Sequence, residues 1–193
     1  MVKNSAAIPA RRVYIALVHY PVLNRQGDTI ASAVTNLDLH DIARAAKTYG
    51  VARFFVVTPL ADQQQLARRI VEHWTTGRGP AFNEKRAQAF ALIRLKDTLS
   101  DVMAHLSQEN GRPPAVVLTS ARHHDAAVTC DRLRTLERDL LLVFGTGWGI
   151  APELIQYADY MLTPIDGVTG YNHLSVRSAV SIILDRLIQS DVK

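Results

Sequence analysis

Glycines at alternate positions, Gly145, Gly147 and Gly149, follow directly on the apolar run Leu140-Leu141-Leu142-Val143-Phe144. The run has the length of a buried strand, and glycine, lacking a Cβ, lets the backbone adopt positive φ and approach a ligand closely. Phe144, Gly145, Thr146, Gly147 and Gly149 are therefore read as one wall of a cofactor site; the alternative is a tight turn over a packed Trp148. A second ligand-type loop follows the short apolar run Tyr160-Met161-Leu162 and reads Thr163-Pro164-Ile165-Asp166-Gly167-Val168-Thr169-Gly170. Pro164, Gly167 and Gly170 exclude regular structure there. Beyond it, Tyr171-Asn172-His173-Leu174-Ser175 opens a helix, where the Asn172 amide can cap the backbone or reach a ligand. His173, Asp166 and Tyr171 carry groups able to accept or orient a proton.

Other chemistry-bearing residues lie earlier. Arg44 belongs to a helix that Asn36 or Asp38 can cap and Gly50 ends; from spacing alone it is a solvent-facing residue. His19 closes the apolar run 13–18, where it can touch a substrate or serve as a hydrogen-bonded structural histidine. In Ser120-Ala121-Arg122-His123-His124-Asp125 the histidines and aspartate suggest a metal, but adjacent residues rarely converge on one ion, so no metal site is expected. Between residues 77 and 88, Arg78, Lys85 and Arg86 surround Phe82. Basic groups meet phosphates and a ring stacks on a base, which suits single-stranded RNA; a solvated connection is the competing reading.

The elements that must hold these residues alternate. Strands are predicted at 13–18, 51–58, 89–95, 115–119, 140–144 and 160–162. Helices are predicted at 36–49, 60–76 with Leu66, Ile70 and Trp74 at helical spacing, 98–109 with Leu99, Val102, Met103 and Leu106 inward, and 130–138. The last, 171–188, has Leu174, Ala179, Ile182, Ile183, Leu187 and Ile188 on its apolar face. Strand, helix, strand order implies parallel pairing with helices on the faces, an α/β fold.

The chain has 193 residues, 48% hydrophobic and 21% charged, without a long Pro-, Ser- or charge-rich linker. That composition fits one domain over 1–193, with 1–12 a flexible tail. A net charge of +4 and pI near 9.4 are compatible with an anionic partner such as RNA. Cys130, the sole cysteine, excludes an intrachain disulfide and a cysteine-rich metal site. No signal-peptide core and no run of eighteen apolar residues occurs, so the expected compartment is cytoplasmic and no membrane partner is expected.

Over about 45 residues the order and spacing of these motifs resemble the SPOUT superfamily of knotted, S-adenosylmethionine-dependent RNA methyltransferases. Its SpoU-like branch has an apolar strand ending Phe-Gly-x-Glu-x-x-Gly, a second ending Ile-Pro-Met-x-Gly, and Ser-Leu-Asn-Val-Ser-Val-Ala opening the last helix. Here the corresponding text is Val143-Phe144-Gly145-Thr146-Gly147-Trp148-Gly149, Thr163-Pro164-Ile165-Asp166-Gly167 and Tyr171-Asn172-His173-Leu174-Ser175-Val176-Arg177-Ser178-Ala179. An early family segment, Asn-x-x-Asn-x-Gly-Ala-x-x-Arg-Thr-Ala-x-x-Phe-Gly-Val, is similar to the stretch ending Arg44-Ala45-Ala46-Lys47-Thr48-Tyr49-Gly50-Val51, with Asp38 and His40 where Asn and Gly are usual.

The resemblance implies an open parallel sheet with a C-terminal trefoil knot at about 115–190, a homodimer, and methyl transfer to tRNA or rRNA. It places Arg44 and Asn172 in catalysis. The cofactor wall gains Thr119, Ser120, Leu162, Thr163, Pro164, Ile165, Gly167, Gly170, Tyr171, Asn172, Leu174 and Ser175, with Arg122 and His123 nearby for RNA. The SpoU-like glutamate is replaced by Thr146 or Gly147, so ribose methylation is not implied. No lysine occurs between Leu140 and Leu187, which keeps that cation away from a sulfonium. Two rivals remain: a nicotinamide-dependent enzyme, since Asp166 stands about twenty residues after a Gly-x-Gly-x-Gly loop, and a non-catalytic RNA-binding protein that keeps the pocket.

Overall fold

Every residue of Val13–Val18 is buried, so this strand, β1, has neighbours on both edges and cover on both faces. The structure, a computed structural model, describes residues 11–188. The tail expected at 1–12 falls, as far as residue 10, outside them. After β1 come a hairpin of β2 (Val22–Leu23) and β3 (Thr29–Ile30), helix α1 (Asn36–Thr48), β4 (Arg53–Val57), α2 (Ala61–Thr75), the short α3 (Gly79–Phe82) and α4 (Glu84–Phe90). The chain continues with β5 (Ile93–Lys96), α5 (Leu99–Asn110), β6 (Ala115–Leu118), α6 (Cys130–Arg134), β7 (Leu140–Gly145), a 3-10 turn (Pro152–Tyr157), β8 (Tyr160–Met161) and α7 (Val176–Ile188).

Six strands form one parallel sheet in the order β5-β4-β1-β7-β6-β8. Because strand side chains alternate, each strand feeds two cores. Ile15, Leu17, Phe54, Val56, Leu142 and Phe144 meet Leu39 and Ile42 of α1 and Val180, Leu184 and Leu187 of α7. Tyr14, Ala16, Phe55, Val57, Leu141 and Val143 meet Leu99, Val102 and Leu106 of α5 on the other face. The α/β sheet follows the predicted order; several boundaries do not. Residues 77–88, read as a loop, hold α3 and most of α4. Asn83 Oδ1 accepts from Arg86 N at 2.9 Å and caps α4, so Ala89 and Phe90 end a helix instead of beginning a strand.

Thr35, not Asn36 or Asp38, caps α1, its hydroxyl accepting from Asp38 N at 3.1 Å. In α2 Gln64 and Ala67 are buried and the predicted Ile70 and Trp74 pack half-buried against the core, while Leu66 is 44% exposed. Gln64 is pulled inward by hydrogen bonds from its amide to Thr58 O and Asp97 Oδ1. Helix α6 stops at Arg134, short of the predicted 138. Helix α7 starts only at Val176, leaving Leu174 exposed, and turns Val180, Ile183, Leu184 and Leu187 inward. Pro164 and the glycines hold the preceding chain out of the helix.

Candidate functional site

Three loops leave the carboxyl ends of the adjacent strands β7, β6 and β8, the edge of an open parallel sheet where ligand crevices form. Two of them are tied together. Val128 N donates to Met161 O at 2.8 Å and Thr163 N to Val128 O at 2.9 Å. The Asn172 amide donates to Ala121 O at 3.0 Å, and His123 Nε2 lies 3.3 Å from Asp166 Oδ1. Asn172 thus joins the loop after β8 to the loop after β6 instead of capping α7. The cap of α7 is Ser175, whose hydroxyl accepts from Ser178 N at 3.2 Å. Thr119 is held by the neighbouring strand β7, both its amide and its hydroxyl donating to Val143 O at 3.0 Å. The Ser120 hydroxyl accepts from Arg122 N, which shapes the following turn.

The glycine loop after β7 is seated on the β2–β3 hairpin. Leu23 N donates to Gly149 O and Trp148 N to Leu23 O, both at 2.9 Å. Gly147 has φ +60°, and a Cβ there would stand 2.8 Å from Leu23 O. At Gly145 a Cβ would stand 2.7 Å from Ile150 Cγ1. These two glycines are required by the close approach of the chain to itself. Gly149, with φ +113° and nothing within 4 Å of a Cβ, leaves open space beside the loop. Trp148, 52% exposed, is not packed beneath the turn. Behind the loop, the Thr146 hydroxyl donates to Val18 O at 3.0 Å and meets Ser32 Oγ, which lies 3.1 Å from His19 Nδ1. The Ser32 hydroxyl also lies 3.4 Å from His19 O, so Thr146, Ser32 and His19 form one hydrogen-bonded group behind the loop. His19 is fully buried, and that burial lowers its pKa from the ordinary 6.5 to about 4.

Arg44 is exposed on α1 and faces the first turns of α7 across an open cleft of about 660 Å³, lined also by Asp41, Thr48, Ser175, Arg177 and Ser178. Arg177, which no sequence pattern singled out, lies 2.9 Å from Asp38 Oδ1 and 3.3 Å from Asp41 Oδ2. The signal was present but split: Asp38 replaces the family's asparagine in one motif, Arg177 departs from the family text in another, and the fold makes them partners. The basic side chains of residues 77–88 are not all turned to solvent. Arg78 and Lys85 are exposed and Phe82 is 83% exposed, but the Arg86 guanidinium sits 4.6 Å over the Trp74 ring.

Residues 12–189 match a family described as SAM-dependent RNA methyltransferase. The chain belongs to that family. A protein of Oleidesulfovibrio alaskensis named tRNA (guanine-N(1)-)-methyltransferase is 41% identical over 187 residues, 96% of this chain and 44% of that protein. The chain thus spans less than half of that relative. An uncharacterized protein of Aquifex aeolicus is 42% identical over 179 residues, 91% of this chain and 87% of it. Among solved structures, the SpoU methyltransferase AviRb from Streptomyces viridochromogenes in complex with AdoMet is similar in fold, with TM-score 0.60 and 16% identity over 97% of this chain and 62% of that one.

Membership of the SAM-dependent RNA methyltransferase family sets the nicotinamide reading aside, and the geometry agrees. A dinucleotide fingerprint needs a helix N-terminus behind its glycines, whereas here Ile150 bridges Val22 and a 3-10 turn follows. S-adenosylmethionine demands an apolar slot and backbone groups for its adenine, and the loops fit it. Among the described residues the amides of 165–170 have no hydrogen-bond partner, and a Cβ at Gly170 would meet open space. Of the side chains expected to supply that slot, Leu162 is core at 1% exposure, Ile165 is half-buried against the core, and Leu174 is 47% exposed. Phe144 and Pro164 are buried, so only their main chain could face a ligand. Gly167, Tyr171 and Ser175 are exposed along the same loop and Thr163 is half-buried.

Proposed function

We propose that this chain transfers the methyl group of S-adenosylmethionine to a nucleotide of a tRNA or rRNA. The observation that carries the reading is the joining of the loops after β6 and β8 by Asn172 beside the glycine loop, in a chain whose family uses that cofactor. The main chain of Gly145–Gly149 and 163–170 would hold the cofactor, with Thr119, Ser120, Leu174 and Asn172 at its margins. The cofactor supplies an electrophilic methyl on sulfonium, and displacement requires the RNA nucleophile in line with carbon and sulfur. Arg44 and Asn172 would orient the acceptor and the loops. Arg78, Lys85, Arg122 and His123 would meet the RNA farther out.

The crossing at Val128, which bonds to both Met161 and Thr163, supports threading of the segment before α7 beneath the 119–129 loop, the trefoil knot of the resemblance. A homodimer is part of the reading: Trp148, Ile155, Val168, Tyr171 and Leu174 expose apolar surface around the cofactor loops, which a second copy would cover. Sedimentation should give twice the chain mass; a monomer at all concentrations removes the dimer. The name of the Oleidesulfovibrio relative favours tRNA, but its guanine-N1 chemistry belongs to a protein more than twice as long. Total RNA from a deletion strain, incubated with the protein and S-adenosylmethionine and digested for nucleoside mass spectrometry, should regain one methylated nucleoside. RNA left unmethylated despite cofactor binding favours the non-catalytic binder.

A further inference from the structure

Asp41 and Arg44 stand three residues apart on α1, a spacing at which a carboxylate and a guanidinium pair on a helix surface. They do not pair here. Asp41 Oδ2 is taken by Arg177 Nε at 3.3 Å, and Arg177 Nη1 also holds Asp38 Oδ1 at 2.9 Å. Asp38 is 5% exposed, so its charge is buried and needs that partner. The helices are joined a second time near the end of α1, where the Tyr49 hydroxyl donates to Asp185 Oδ1 at 3.0 Å. The cleft beside this double attachment holds Arg44 with no carboxylate on it among the described residues, and its volume of about 660 Å³ is room for a nucleotide.

We infer that Arg177 is a positioning residue: by occupying Asp38 and Asp41 it keeps Arg44 free to take an RNA phosphate in the cleft between α1 and α7. The inference rests on the RNA methyltransferase reading above. Two roles are joined in one side chain. Arg177 fixes the approach of α7 to α1, and it removes the acid that would otherwise compete with phosphate for Arg44. A guanidinium with no internal partner offers a phosphate a charge-assisted, bidentate contact.

The test separates charge occupancy from mere folding. D38N/R177M removes the buried carboxylate together with its partner, which strands no buried charge, and leaves Asp41 unpaired one turn from Arg44. D38N/D41N/R177M removes Asp41 as well. Binding of unfractionated bacterial tRNA is followed across a salt series, and S-adenosylmethionine binding is measured on each protein by calorimetry. The double variant should bind tRNA about tenfold more weakly, with a salt slope shallower by roughly one phosphate contact. Arg44→Ala should match it, and the triple variant should regain wild-type affinity. All should bind the cofactor as the wild type does. A double variant with unchanged tRNA affinity, a triple variant that stays weak, or a wild type without salt-dependent tRNA binding overturns the inference. A wild type that fails to bind S-adenosylmethionine overturns the methyltransferase reading, and the inference with it.

Discussion

His19 makes the clearest statement a single side chain can make about its surroundings. Buried neutral, with Nδ1 committed to Ser32 and Nε2 without a partner among the described residues, it keeps a pKa of about 4 against 6.5 in an unfolded chain. Between those values the unfolded chain binds the extra proton, so stability is complete above about pH 6.5 and declines as pH falls toward 4. The full shift corresponds to roughly 3 kcal/mol. Denaturant titrations at neutral pH and near pH 4.5 should show this decline in the wild type and a smaller one in His19→Asn, whose amide can still hydrogen-bond Ser32 without titrating. Equal declines would mean another group titrates. Asn172→Ala should weaken S-adenosylmethionine binding about five- to tenfold, the worth of one hydrogen bond near 1 kcal/mol, with an unchanged melting temperature. Calorimetry with a thermal scan checks both, and unchanged affinity would remove Asn172 from the cofactor wall. Sequence placed His19 at the right strand end but put Asn172 in the first turn of a helix that begins only at Val176. Their partners, Ala121 and Ser32, lie far along the chain or across a hairpin, and no spacing rule reveals them.

The glycine loop shows how an element can be located from sequence while the neighbour that shapes it stays hidden. Its strand, its position and its three glycines were legible, because an apolar run ending in alternate glycines has few other meanings. What was not legible was the β2–β3 hairpin lying against it, a pairing of two residues on each side that periodicity cannot register. Gly147→Ala should therefore cost about 2–3 kcal/mol of stability, from positive φ and the contact with Leu23 O. Gly149→Ala meets no neighbour, should cost about 1–2 kcal/mol from its φ alone, and should reduce cofactor affinity more than Gly147→Ala does, since its methyl enters the open space. Urea denaturation with cofactor titration of both variants gives the order; the reverse order would place the ligand on the other side of the loop. The helical α3 and α4 were missed for a related reason. Gly77, Gly79 and Pro80 read as a loop, while the capping asparagine at Asn83 and the acid Glu84 behind it are ordinary helix-start signals that the glycines obscured.

The molecule as a whole was more legible than any of its parts. Strand and helix alternated in the sequence, and the sheet is parallel throughout because each return crosses over through helix or long loop. The strand order, with β6 between β7 and β8, brings the last three loops to one edge, the edge at which the methyl donor is proposed to bind. Among the described residues no helix is long and apolar enough to cross a membrane. The two carboxylates and the arginine that join α1 to α7 come from chain segments more than a hundred residues apart, and only the folded molecule shows them together. The most direct measurement is a calorimetric titration of the protein with S-adenosylmethionine. Saturable binding near one cofactor per chain, weakened in Asn172→Ala and Gly149→Ala but unchanged in Arg44→Ala, is the expected result. Absence of heat at any concentration, or binding indifferent to both loop substitutions, would contradict the placement of the methyl donor on these loops.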